Sequence, residues 1–103
     1  MKYLVIIIKI MKDIRKIEKI FTKGIMEEFG ISGVSQELLP LVYEEWDKQP
    51  FYNDNGGNDK RFFSLDVRGK HIFVIFDEGY GPETHDWNIA VPDRYTILFA
   101  SEY

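Results

Sequence analysis

Phe62-Phe63-Ser64-Leu65-Asp66-Val67-Arg68-Gly69-Lys70-His71-Ile72-Phe73-Val74-Ile75-Phe76-Asp77 is the stretch that decides the fold class. Phe63, Leu65 and Val67 alternate with Phe62, Ser64 and Asp66, and Ile72, Val74 and Phe76 alternate with Phe73, Ile75 and Asp77. Successive side chains of a strand point to opposite faces, so a period of two marks extended chain. Arg68-Gly69 between the two runs predicts a short hairpin connection. Arg94 to Glu102 repeats the pattern, with Tyr95, Ile97 and Phe99 opposite Thr96, Leu98 and Ala100, and predicts the last strand.

Loops flank the hairpin. Pro50 to Lys60 is one, centred on Asn53-Asp54-Asn55-Gly56-Gly57-Asn58-Asp59, residue types that tolerate left-handed backbone. Gly79 to Trp87 is the other. Upstream, Leu38, Leu39, Val42 and Trp46 share one side of a helix predicted from about Gln36 to Lys48. Ser35 is the expected N-cap, and Glu37 suits the positive end of that helix. Pro40 lacks an amide proton and belongs in the first turn or just after a kink. Gly30-Ile31-Ser32-Gly33 reads as a break.

Further toward the N-terminus, Ile10, Ile14, Ile17 and Phe21 recur at intervals of four, three and four. That spacing predicts an amphipathic helix over Ile10 to about Phe21, ending by Gly24. A short strand over Ile20 to Ile25 is the alternative. Leu4-Val5-Ile6-Ile7-Ile8 is far shorter than the roughly 20 residues that cross a bilayer. Charged Lys9, Lys12 and Asp13 follow it in place of a small-residue cleavage site. It reads as a buried strand, or as an extension ahead of Met11. The expectation is one α+β domain over residues 1–103: three to four antiparallel strands, two helices on one face, and residues 1–10 as an extra strand or an extension.

Composition narrows the chemistry. The 103 residues contain no cysteine, which removes disulfides, thiolate zinc sites, iron–sulfur clusters and a cysteine nucleophile together. A cysteine-free chain fits the cytoplasm. Net charge is −4, so the chain as a whole repels nucleic acid, whose binding needs clustered Lys and Arg. An acidic chain suits a basic protein partner instead.

The C-terminal half resembles an uncharacterised, domain-of-unknown-function family of small bacterial proteins. The resemblance is carried by Phe51-Tyr52-Asn53-Asp54-Asn55, by Phe73-Val74-Ile75-Phe76-Asp77, and above all by Tyr95-Thr96-Ile97-Leu98-Phe99-Ala100-Ser101-Glu102-Tyr103. The last stretch is similar to the family's Leu-Thr-Ile-Met-Leu-Ala-Glu-Glu-Tyr ending, and Thr22-Lys23-Gly24-Ile25 to its Thr-x-Gly-Val segment. Where the family runs Glu-His-Asp-Phe-Gly, this chain has Asn58-Asp59-Lys60-Arg61-Phe62, without the histidine. The resemblance implies a fold and carries no activity.

Candidate chemistry is sparse. His85-Asp86 are neighbours in the second loop, and with Asp54 and Asp77 they make the set a small hydrolytic enzyme would use. The Asn53–Asp59 loop lacks the ligand spacing and distal glutamate of a calcium loop, so no metal or cofactor is expected. Ser32, Ser35 and Ser64 lie in no Gly-x-Ser-x-Gly turn, and Gly79-Tyr80-Gly81 is not a dinucleotide fingerprint. What remains is a set of loop aromatics ringed by acids: Asp54, Asp59, Asp77, Glu78, Tyr80, Glu83, Asp86 and Trp87. Aromatic anchors within a charged rim are the usual make-up of a protein contact.

The primary expectation is therefore a small acidic, non-catalytic binding or inhibitor module. By analogy it fits a phage- or plasmid-carried inhibitor of a host nucleic-acid enzyme such as a restriction or CRISPR nuclease. It would use no cofactor, no membrane and no direct nucleic-acid contact. A hydrolase built on Asp54, Asp77, His85 and Asp86 is one alternative; a homo-oligomeric subunit, dimeric through a strand edge or the N-terminal run, is another.

Overall fold

The computed structural model describes residues 13–51, 57–79 and 91–103. The Leu4–Ile8 run, the start of the expected first helix, the centre of the first loop and most of the second loop lie outside these residues. A 3₁₀ turn at Ile14–Lys16 leads into β1 (Glu18–Phe21), then α1 (Lys23–Gly33), a π-helical turn (Val34–Leu38) and α2 (Leu39–Lys48). The strands β2 (Phe62–Val67), β3 (Lys70–Asp77) and β4 (Arg94–Phe99) follow, and a 3₁₀ turn at Ala100–Glu102 closes the chain.

The fold is α+β with a four-stranded sheet in the order β1-β4-β3-β2. The hairpin forms as its sequence predicts. Val67 pairs with Lys70, and Arg68 (φ 56°) and Gly69 (φ 72°) make the two left-handed positions of the turn. β4 pairs antiparallel with β3 and ends at Phe99, short of Glu102.

The sheet is not purely antiparallel, because β1 runs parallel to β4. The helix predicted over Ile10–Phe21 is replaced, within the described residues, by the 3₁₀ turn and this strand. Ile14 and Ile17 are both in the core, but a three-residue turn satisfies their spacing as well as an α-helix does. Asp13 caps that turn through Arg15 N. Lys19 Nζ then donates to the carbonyls of Ile14 and Ile17 at 3.0 and 2.6 Å, holding the turn against the strand.

The helical span begins earlier than expected and runs from Lys23 to Lys48 with one bend. Gly30 (φ 70°, ψ 172°) is the bend, a conformation glycine alone adopts freely, so the break is confined to that residue. Helix resumes at once, which overturns Ser35 as an N-cap: it sits inside the helix, with Oγ donating to Ile31 and Ser32 carbonyls. Leu39 N bonds back to Val34 O, a five-residue step that widens the helix just ahead of Pro40. The ring thus enters at the first turn of α2, where its missing donor costs least.

Ile25, Phe29, Val34, Leu38, Val42 and Trp46 from the helices meet Phe63, Val67, Ile72, Val74, Tyr95 and Ile97 from the sheet. The helices therefore cover one face of the sheet. No helix of the described residues is long and apolar enough to cross a membrane.

Candidate functional site

The second face of the sheet carries the residues that alternate with the core. Strand register aligns them in rows, because directly paired residues point to the same side. At the hairpin end, Asp66 pairs with His71. The next row is Ser64, Phe73 and Leu98. Then come Phe62, Ile75, Thr96 and Ile20, and at the far end Asp77, Arg94 and Glu18.

Two largely apolar rows are thus bracketed by two charged rows, which lie about 20 Å apart along β3. The outer face of an antiparallel sheet is ordinarily polar. Here the Phe62 and Phe73 rings lie 5.3 Å apart and tilted by 50°, His71 and Tyr103 each meet Phe73 edge-on at 5.4 and 5.5 Å, and Tyr103 is 80% exposed. Ile20 is 39% exposed at the edge strand, and Leu98 on the central strand is buried.

The charged rows differ in how they are satisfied. His71 Nδ1 lies 2.6 Å from Asp66 Oδ1, an exposed cross-strand pair. At the other end Asp77 Oδ2 accepts from Thr96 Oγ1 at 3.3 Å, and Glu78 beside it is exposed. Among the described residues Glu18, Asp77 and Glu78 have no cation within ion-pair distance. Several basic side chains elsewhere are committed internally. Arg15 holds Asp13 and Asp47, Arg68 holds Glu28 and Glu37, and Lys70 holds Glu28. Arg94 stands in register between Asp77 and Glu18.

Asp59 does not join this surface. It is 5% exposed, and its Oδ1 accepts from Arg61 N and Phe62 N at 2.7 and 3.3 Å. Expected at a partner contact, it instead shapes the entry to β2. Its neighbour Lys60 is equally buried: Nζ donates to Trp46 O at 2.7 Å and lies 4.0 Å from the centre of the Trp46 ring. Trp46 Nε1 donates to the Tyr95 hydroxyl, which donates to Lys60 O. This cluster anchors the end of the first loop to the core, with Lys60 N bonded to Pro50 O.

Asp77 and Glu78 are therefore placed on an exposed, acidic sheet end. Asp54, Tyr80, Glu83, His85, Asp86 and Trp87 lie outside the described residues, so their convergence with Asp77 is not described. Among the described residues, no three His, Asp or Glu side chains gather closely enough to hold a metal ion. The sequence reading missed the apolar strip. Its signal was present, since Phe62, Phe73, Ile75 and Leu98 occupy strand positions that a solvated face fills with polar residues.

Comparison of the chain with protein-family models, with curated proteins and with solved structures yields no match.

Proposed function

We propose that the chain is a small non-catalytic binding module that works by contact with another protein through the outer face of its sheet. One observation carries this reading: half-buried Phe62, Phe73 and Ile75 on the face opposite the helices, beside a carboxylate-rich row of exposed Asp77 and Glu18 with Arg94 between them. Apolar centres with charged rims are how protein contacts are built. Carboxylates without cationic partners favour a basic partner, in rate of encounter as much as in affinity. An inhibitor that covers the basic channel of a nucleic-acid enzyme is the class this suits.

The test is capture by tagged wild-type protein set beside Phe73→Lys and Asp77→Lys variants, each checked for folding by circular dichroism. A protein held by the wild type and lost by both variants supports the reading, the more so if the wild type blocks cleavage by a purified restriction or CRISPR nuclease. Recovery of chaperones alone, with no effect on any nuclease, sinks it.

A further inference from the structure

We infer that Glu102 and Tyr103 form a latch over Phe73: Glu102 fixes the turn that lays Tyr103 on the outer face, and its release uncovers Phe73. What the latch controls rests on the reading of that face as a contact surface; the latch itself stands on geometry within the chain.

β4 ends at Phe99, whose ring stacks on Phe29 of α1 at 6.5 Å, on the side the helices cover. The chain then turns through Ala100–Glu102, with Tyr103 N donating to Ala100 O at 3.1 Å. The Glu102 carboxylate accepts from Thr22 Oγ1, Gly24 N and Phe99 N at 2.7, 3.2 and 2.8 Å, which fastens the turn to the start of α1. Hydrogen bonds to an ionised acceptor are roughly twice as strong as neutral ones. Tyr103, the next residue, reaches the opposite side of the sheet, where its ring meets Phe73 edge-on at 5.5 Å and 83°.

The two residues are held very differently. Glu102 has three hydrogen bonds, whereas Tyr103 is 80% exposed and rests its ring on Phe73. An edge-on ring pair shifts an equilibrium by only about two- to tenfold, so Tyr103 lifts readily once the turn beneath it loosens. Phe73 is half-buried, and a partner reaching for it has to lift Tyr103 first. The apparent affinity of such a partner is scaled by the fraction of chains that stand open.

Site-specific 4-fluorophenylalanine at position 73, read by fluorine NMR with a neutral paramagnetic cosolute, measures the exposure of that ring in the full chain. Tyr103→Ala should raise the cosolute broadening several-fold. Glu102→Ala should raise it to the same level, Glu102→Gln should fall between that level and wild type, and Glu102→Ala with Tyr103→Ala should add nothing further. Circular dichroism checks each variant for folding, and where Glu102→Ala fails that check, Glu102→Gln decides. Broadening that stays at the wild-type level in the folded Glu102 variants overturns the latch, as does an additive double variant.

Capture reads the consequence. Tyr103→Ala should bind a captured partner about two- to tenfold more tightly than the wild type, since the closed state is gone. Weaker binding by Tyr103→Ala would make Tyr103 a contact residue and overturn the gating. A working latch with no partner captured by any variant sinks the partner reading alone, and a captured partner with Phe73 equally exposed in every variant sinks the latch alone.

Discussion

Trp46 Nε1 donates a 3.0 Å hydrogen bond to the hydroxyl of Tyr95, which in turn donates to Lys60 O at 2.5 Å. A helix, a strand and the base of the first loop are thereby locked through one phenol. Tyr95→Phe keeps the ring and removes both bonds, leaving a buried indole donor and a buried carbonyl without that partner. The expected cost is about 1–3 kcal/mol for each group left unsatisfied. Urea denaturation should show a lower midpoint with little change in slope. A loss below the error of the method would mean that water replaces the phenol.

The same burial governs ionisation. Desolvation pushes the Tyr95 phenol up to about 12, against the lowering effect of the Trp46 hydrogen bond. A folded-state value above the unfolded one means the stabilising contribution is whole below pH 10 and drains away as pH rises toward 12. Tyrosinate absorbance should therefore show a phenol that titrates late, together with alkaline unfolding. In Tyr95→Phe the late step should disappear. Tyr43, also shifted upward by desolvation, should remain in both titrations.

The hairpin was legible because everything that makes it is local: a period of two, and two adjacent residues able to turn left-handed. β1 was not, because Glu18–Phe21 becomes a strand by pairing with Arg94–Ile97, far along the chain. Read alone, its apolar spacing fits a helix as well. Helix α1 escaped for a related reason. Gly24 looks like a terminator, yet it sits in the first turn because Glu102, at the other end of the chain, packs against it. In the candidate site, the exposed Asp77 and Glu78 were readable as residue types. The apolar strip stood out only once the helices were seen to cover the opposite face.

Glu102 ties the C-terminus to the start of α1. Its carboxylate accepts from Thr22 Oγ1, Gly24 N and Phe99 N at 2.7, 3.2 and 2.8 Å. The Thr22 hydroxyl, then the Phe99 amide, hold its pKa below the ordinary carboxylate value. A depressed folded-state value stabilises above the unfolded pKa and is lost as pH falls through the folded one. Thermal melts should therefore drop in that acid range, and Glu102→Gln should flatten the drop.

Gly24 offers a second handle on the same contact. A Cβ there would stand 2.5 Å from Glu102 Oε2, so Gly24→Ala must displace the flexible carboxylate. Its acid profile should match that of Glu102→Gln, and the double variant should add nothing further. Additive losses would show that the two residues act separately.

Gly30 isolates backbone strain from packing. Nothing lies within 4 Å of where its Cβ would be, so an added methyl meets no side chain. The conformation itself (φ 70°, ψ 172°) is the obstacle, one that alanine adopts only at a cost of about 1–3 kcal/mol. Gly30→Ala should therefore destabilise by that amount. Alanine's helix propensity pulls the other way, toward one straight helix from Lys23 to Lys48. Straightening would draw Phe29 and Val34 off the sheet and break the bridge from Arg68 to Glu28 and Glu37. Urea melts and the near-ultraviolet spectrum of the variant separate the outcomes: a stability loss with native aromatic signals means the bend holds under strain. A variant as stable as wild type would show that glycine is not required there.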